Sequence, residues 1–116
     1  DSAQIPALKD SLYTQTSVSA VSNIYNLNFS STSIKNFSIE TTDAVAKTIA
    51  FSNVPSGFVQ TTVKLKYTNT ATITYPASVV WKDGNIPVYT ATKTYLLMFV
   101  TYDGGITWLG SYVGAW

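Results

Sequence analysis

The carboxylates are the side chains of this chain that could do acid–base chemistry, because it contains no histidine and no cysteine. Hydrolysis of a glycosidic bond needs two carboxyl groups that face each other at a defined separation. Asp83 and Asp103 are the two candidates, since both lie near aromatic residues. Each also stands directly before a glycine in a turn signature, which explains an aspartate without catalysis. We therefore expect no enzyme; the six carboxylates are Asp1, Asp10, Glu40, Asp43, Asp83 and Asp103.

The missing residue types exclude several further kinds of site. Without cysteine and histidine there is no thiol nucleophile, no disulfide and no zinc or iron–sulfur site of the usual kind. The seven basic residues are all lysine, so the chain has no guanidinium fork for phosphate or guanine. A formal net charge of +1 gives no electrostatic footprint for nucleic acid. We expect no metal, no cofactor and no nucleic-acid partner.

Aromatic side chains are the remaining candidates for binding. Most of them fall on the inward face of an alternating segment and are expected in the core. The others are predicted to contact a ligand or a neighbouring subunit, since Tyr and Trp are enriched at interfaces. A Trp at the end of the chain leaves a large apolar side chain in water unless it docks on the core or on a neighbouring subunit. These candidates are Tyr89, Tyr95, Tyr102, Tyr112 and Trp116.

The segments that carry these residues are predicted to form strands. Apolar and polar residues alternate along residues 59–67, and the polar positions are filled mostly by Thr and Lys. Residues 95–102 are apolar on both faces, which indicates a central strand or one covered by a neighbouring subunit. That run is too short to span a membrane, so we expect no membrane insertion. Residues 103–105 are predicted to form a hairpin turn, and residues 88–92 a short strand.

Turn residues separate these segments at intervals of about 8–12 residues, a spacing typical of sandwiches and barrels. The 116 residues suit one domain. We predict an all-β fold, a single antiparallel β-sandwich of jelly-roll type with about seven or eight strands. Its boundaries are residues 24–116. Lys64 and Lys66 would then lie on an outward, solvated strand face.

Residues 1–23 differ from the rest of the chain. Ile5, Leu8 and Leu12 recur at helical spacing, so residues 6–13 form either a short helix or part of a linker. The last turns of a longer helical stalk are a third reading. We expect these residues to lead in from an upstream shaft, with Asp1 a cut or processing site and Trp116 the true C-terminus.

The C-terminal part of the chain, about residues 44–116, resembles the C-terminal β domains of bacteriophage tail fibres and receptor-binding proteins. The likeness rests on the order and spacing of several landmarks. Tyr75 stands where Trp is common in that pattern, and Ile106 where Thr is common. The landmarks are Ile49-Ala-Phe-Ser-Asn-Val-Pro55, Ala71-Thr-Ile-Thr-Tyr-Pro76, Ser78-Val-Val-Trp81, Asp83-Gly-Asn-Ile-Pro87, residues 96–101 and Asp103-Gly-Gly-Ile-Thr-Trp-Leu-Gly110.

This resemblance implies a non-catalytic domain on the virion surface, trimeric and joined to an upstream shaft of the same polypeptide. Its partner would be a host-surface glycan or protein. The motif residues would be structural framework: Pro76, Trp81, Pro87, Gly104, Gly105 and Trp108. Two alternatives remain open, a capsid decoration or head-fibre domain without a host ligand, and a stand-alone carbohydrate-binding module.

Overall fold

The computed structural model describes residues 15–116. The helix or linker predicted for residues 6–13 lies outside this part of the chain. The described residues form strands and one 3-10 turn, so the all-β prediction is confirmed. Among them, no helix is long and apolar enough to cross a membrane. The elements are β1 (Gln15–Val18), β2 (Ile24–Asn28), β3 (Asn36–Glu40), β4 (Lys47–Ser52), β5 (Val59–Tyr67), β6 (Ile73–Thr74), β7 (Val79–Trp81), the 3-10 turn Lys82–Gly84, β8 (Lys93–Thr101) and β9 (Trp108–Ala115).

The chain winds between two sheets. The odd strands β1, β3, β5 and β7 belong to a six-stranded sheet with the order β1-β3-β5-β8-β9-β7, and β2, β4 and β6 form the second sheet. Within each sheet the successive strands from β1 to β6 run parallel; Ile24 of β2, for example, pairs with Thr48 of β4. This solenoid-like part, residues 15–74, is called the winding.

The last part of the chain closes the winding. β8 pairs antiparallel with β5 along its whole length, and β9 returns as a hairpin beside β8. β7 then lies parallel to β9 at the edge of the sheet. This part, residues 79–115, is called the cap. The predicted hairpin at residues 103–105 is confirmed, since Gly104 and Gly105 both adopt positive φ there.

The finer part of the fold prediction, a single antiparallel sandwich of jelly-roll type, is wrong, because the strands stack in a solenoid-like winding. Five of the seven strand pairs in residues 15–116 are parallel. The turn signals are real, but most of them carry the chain to the other sheet rather than back along its neighbour. Asn23, Ser30, Ser31 and Asn53 all have positive φ at such crossings.

The core lies between the two sheets, and the alternation in the sequence decides which residues enter it. All five inward residues of β5 are buried, while Gln60, Lys64 and Lys66 are exposed. Lys47 is also buried, at the start of β4. The largest fully buried side chains are Trp108, Tyr25, Phe29, Phe37 and Phe99.

Two local predictions have different outcomes. Residues 95–102 were expected to form a central strand, and β8 indeed lies between β5 and β9. Residues 88–92, predicted as a strand, instead belong to the connection between the 3-10 turn and β8, so that prediction is wrong. Pro87 has no N–H for a ladder, and tyrosine side chains hold the connection in place, as shown below. The predicted boundary between residues 23 and 24 stays a prediction, although β1 already pairs with β3.

Candidate functional site

The predicted framework residues of the cap come together at one corner of the molecule. Trp108 is buried and stacks on Phe51, with ring centroids 4.3 Å apart. A Cβ added to Gly105 would lie 3.3 Å from Val54 Cγ1 and 3.4 Å from Trp108 Nε1. A Cβ on Gly104 would lie 3.4 Å from the backbone of Ser56. The Asn-Val-Pro turn and the Asp-Gly-Gly hairpin, about fifty residues apart, therefore pack as one unit.

Trp81 closes the opposite side of the same corner. It is almost buried, and its ring meets Phe99 edge-on at 5.5 Å and Tyr75 at 4.8 Å. Pro76 precedes β7, where its carbonyl accepts a hydrogen bond from the N–H of Val79 at 3.1 Å. Pro87 lies in the connection between the 3-10 turn and β8. Trp81 thus packs as part of the core, and the framework role predicted for these positions stays a prediction.

The two aspartates considered for catalysis lie in turns. Asp103 accepts hydrogen bonds from the Thr107 N–H at 2.9 Å and the Thr101 hydroxyl at 2.8 Å. These bonds lower the pKa of Asp103 below its ordinary value. Asp83 sits in the 3-10 turn with a φ of 55°. Within residues 15–116, no group of three or more acidic side chains could hold a metal ion.

Tyr89 and Tyr95 belong to a cluster of tyrosines that holds the connection before β8. Tyr89 stacks on Tyr67 with centroids 5.1 Å apart and meets Tyr95 edge-on at 4.7 Å. The hydroxyls of Tyr75 and Tyr89 are hydrogen-bonded to each other, and the Thr90 N–H donates to the Tyr95 hydroxyl. Burial raises the pKa of both Tyr75 and Tyr89. Tyr95 is buried and Tyr89 partly buried within this cluster.

Tyr112, Tyr102 and Trp116 keep accessible surface. Tyr112 is exposed on β9, 6.0 Å from the ring of Tyr95. Trp116 exchanges two 2.9 Å backbone hydrogen bonds with Thr94, while its indole stays mostly exposed. Tyr102 packs against Phe58 with centroids 5.2 Å apart. A ligand or subunit contact by these residues stays a prediction.

The outer surface of the six-stranded sheet is divided into two halves. On β5 the outward residues are polar, and each has an outward neighbour on β8: Lys64 pairs with Leu96, and Gln60 with Val100. From β8 onward most outward residues are apolar, and several of them surround a shallow depression of about 380 Å³ that Ser111 and Lys82 also line. We name this half the apolar face; it consists of Val80, Leu96, Met98, Val100, Tyr102 and Leu109.

Comparison of this chain with known proteins finds no match. No protein-family model, no curated protein and no solved structure matches it.

The sequence predicted one of the two candidate surfaces, the apolar face. Residues 95–102 indicated it, because both faces of that segment are apolar. The division of the sheet was not predicted, because it depends on β5 lying next to β8, a pairing of residues far apart in sequence. A polar pocket beside Tyr25 and Asp43 was also missed, since its residues come from separate turns and strands.

Proposed function

We propose that this chain is a structural domain of a bacteriophage virion, the trimerising and host-binding tip of a tail fibre or receptor-binding protein. The observation that carries the proposal is the apolar face. Exposed β-strands with unbroken apolar surface are a liability in a free monomer, because they invite aggregation. A subunit contact removes that liability and gives the domain its oligomeric form.

The exposure of the apolar face supports a contact between copies. Val80, Leu109 and Tyr102 keep 56%, 50% and 70% of their surface exposed. The outward residues of β8 beside them are partly exposed. A stable interface buries about 800 Å² on each partner, with an apolar centre and a polar rim. The apolar face would form the centre of such an interface, and the polar residues around it the rim.

The chemistry of the apolar face also favours a second copy of the chain over a charged partner. Its six residues carry no charge, and Lys82 is the charged residue that borders the depression. Three flat sheet faces turned toward a common axis would bury one another. The lysines of the other half, Lys64 and Lys66, would then remain in solvent.

The framework corner supports the resemblance to phage tip domains. The landmarks of that pattern are spread over about sixty residues, yet Trp81, Trp108, Gly104 and Gly105 lie in one packed region. Such a region explains why those residue types recur in that order: the glycines admit neighbouring atoms, and the indoles fill the space between the sheets.

The test has two measurements. Light scattering on the purified chain is expected to give the mass of three chains at micromolar concentration. The chain is then added to host bacteria before phage; it is expected to lower the rate of phage adsorption. A monomer at all concentrations contradicts the trimer, and unchanged adsorption contradicts the host contact. Antibodies to the chain that label the capsid rather than the tail would favour a decoration domain.

A further inference from the structure

A polar pocket of about 290 Å³ opens where β2 begins and β3 ends, away from the apolar face. Tyr25 lines the pocket from β2, and Asn23 lines it from the turn before β2. Glu40 and Asp43 reach it from the end of β3 and the following loop, and Lys47 from the start of β4. Serine and threonine side chains complete the wall. The winding itself brings these residues together, because it places consecutive turns of the chain at one end.

The Tyr25 side chain is buried, and its hydroxyl makes no hydrogen bond to another residue in the range 15–116. The residue is 1% exposed and its ring packs in the core. A buried phenol ordinarily finds a partner, and the hydroxyls of Tyr67, Tyr89 and Tyr95 all do so. Tyr25 lines the pocket, and burial together with the charge of Asp43 raises its pKa.

An ion pair between the buried Lys47 and the half-exposed Asp43 lines the pocket. The Lys47 ammonium, on a residue only 3% exposed, donates hydrogen bonds to Asp43 Oδ1 and, at 2.8 Å, to the Val45 carbonyl. Asp43 Oδ1 also accepts the Val45 N–H at 2.9 Å. On the rim, Glu40 Oε1 lies 3.5 Å from the Lys66 ammonium. Both carboxylates are thus balanced by a lysine.

We propose that this pocket binds one ring of a neutral sugar. The Lys47 ammonium disfavours a metal ion, and because Lys47 and Lys66 are each paired with a carboxylate, the site offers no unpaired positive charge to an anion. A neutral polyhydroxylated ring offers both donors and acceptors: its hydroxyls can donate to the carboxylates and accept from Tyr25 and Asn23. A volume near 290 Å³ is at the lower end for ligand pockets and suits one ring.

This inference rests on the proposed function, since it names the chemical class of the host-surface ligand. The pocket has no exposed aromatic platform for stacking, because the ring of Tyr25 is buried. Each site is therefore expected to bind weakly, with a dissociation constant in the millimolar range. Three sites on one trimer would raise the effective affinity through avidity.

The test uses methyl glycosides of glucose, galactose, mannose and N-acetylglucosamine, titrated into the wild-type chain and followed by NMR. At least one is expected to bind. Tyr25→Phe removes one oxygen and keeps the ring, so it is expected to weaken that binding about five- to tenfold. Its thermal midpoint should not fall, because the lost hydroxyl bonds no described residue.

Tyr67→Phe is the matched control. It also removes a tyrosine hydroxyl, but one that donates to the Ala71 carbonyl, and Tyr67 does not line the pocket. It is expected to lower the thermal midpoint and to leave sugar binding unchanged. Equal binding by wild type and Tyr25→Phe, or no binding by any of the four sugars, would overturn the inference.

The two proposals can fail separately. If the chain trimerises and slows phage adsorption but binds none of the sugars, the pocket inference fails and the proposed function stands. If Tyr25-dependent sugar binding is found on a monomer that leaves adsorption unchanged, the proposed function fails and the pocket inference stands.

Discussion

The winding and the cap share one core, but their outer surfaces on the six-stranded sheet differ in polarity. The winding turns Gln60, Lys64 and Lys66 to solvent, and its parallel strands repeat with polar residues on the outside. The cap turns Val80 and Leu109 outward beside the apolar residues of β8. β5 and β8 are neighbours in one sheet, so the difference between these two outer faces comes from their side chains. The contact between copies proposed above would cover the outer face of the cap and leave that of β5 in solvent.

The interior also differs from one place to another. At one end of the shared core, Trp108 of the cap packs against Phe29 and Phe51 of the winding, with ring centroids 5.5 and 4.3 Å apart. Elsewhere the winding also buries a lysine side chain, that of Lys47, paired with Asp43. Rings stabilise through volume and contact area, while an ion pair depends on the charge of both partners. Each place should therefore respond to a different kind of substitution.

The largest effect is expected from Trp108→Ala in the cap. It removes a buried indole that contacts both sheets, so the free energy of unfolding should fall by about 3–5 kcal/mol. Urea unfolding measures this change. Ile106→Ala, two residues earlier at a side chain that is 78% exposed and lies outside the apolar face, is the control and should change the stability by no more than about 0.5 kcal/mol. A loss below about 1 kcal/mol for Trp108→Ala would show that the corner is not the centre of the cap.

Leu109→Asp tests whether the apolar face is covered. A carboxylate at the centre of an apolar contact should weaken self-association at least tenfold, which corresponds to about 1.4 kcal/mol. Sedimentation equilibrium gives the constant. Gln60→Asp adds the same charge to the polar half of the sheet and should leave association unchanged. If both variants associate like the wild type, the contact between copies lies elsewhere.

Acid stability separates the ion pair from the hairpin. Hydrogen bonds from Lys47 and the Val45 N–H lower the pKa of Asp43, and bonds from Thr107 and Thr101 lower that of Asp103. A carboxyl whose pKa is lower when folded contributes stability above its unfolded pKa, about 3.9, and loses it as pH falls through the folded value.

Thermal midpoints measured from pH 7 to pH 2 should therefore fall in the wild type below about pH 4. Asp43→Asn and Asp103→Asn should each start lower at pH 7 and show a shallower fall. The deficit at pH 7 is expected to be greater for Asp43→Asn, because it leaves the buried Lys47 ammonium without its counter-charge. Variant curves that run parallel to the wild type would contradict this assignment.

The smallest effect is expected at the exposed ion pair of the winding. Lys66 and Glu40 lie 3.5 Å apart, and more than half of each side chain is in solvent. Lys66→Gln should change the free energy of unfolding by less than about 0.5 kcal/mol. A larger loss in urea unfolding would mean that this outer face is also part of a contact.

Some features of the fold could be read directly from local pattern. The alternation in residues 59–67 assigned every inward residue of β5, and the glycines at residues 104 and 105 located the β8–β9 hairpin. Residues 88–92 resemble a strand in composition, yet contacts of Tyr89 with Tyr67 and Tyr95 hold them outside the sheets. Those contacts join distant parts of the chain and leave no local signal.

The two candidate sites also differ in how far the sequence could predict them. The apolar face could be anticipated because residues 95–102 have no polar side to turn to water. The alternation of Tyr25 with Leu27 assigned Tyr25 to the core. It gave no sign that the Tyr25 hydroxyl would make no hydrogen bond to residues 15–116. That depends on where Asp43 and Lys47 lie after one turn of the winding.

The sequence by itself determined that the chain forms strands, which residues face inward, and that the usual metal, thiol and histidine chemistry is excluded. These properties follow from residue type and a period of two, both of which are local. Only the tertiary structure decided which strands pair and in which direction. A turn residue such as Asn53 bends the backbone without specifying the sheet it bends toward, so the parallel winding, the divided outer face and the polar pocket arise from contacts across the whole chain.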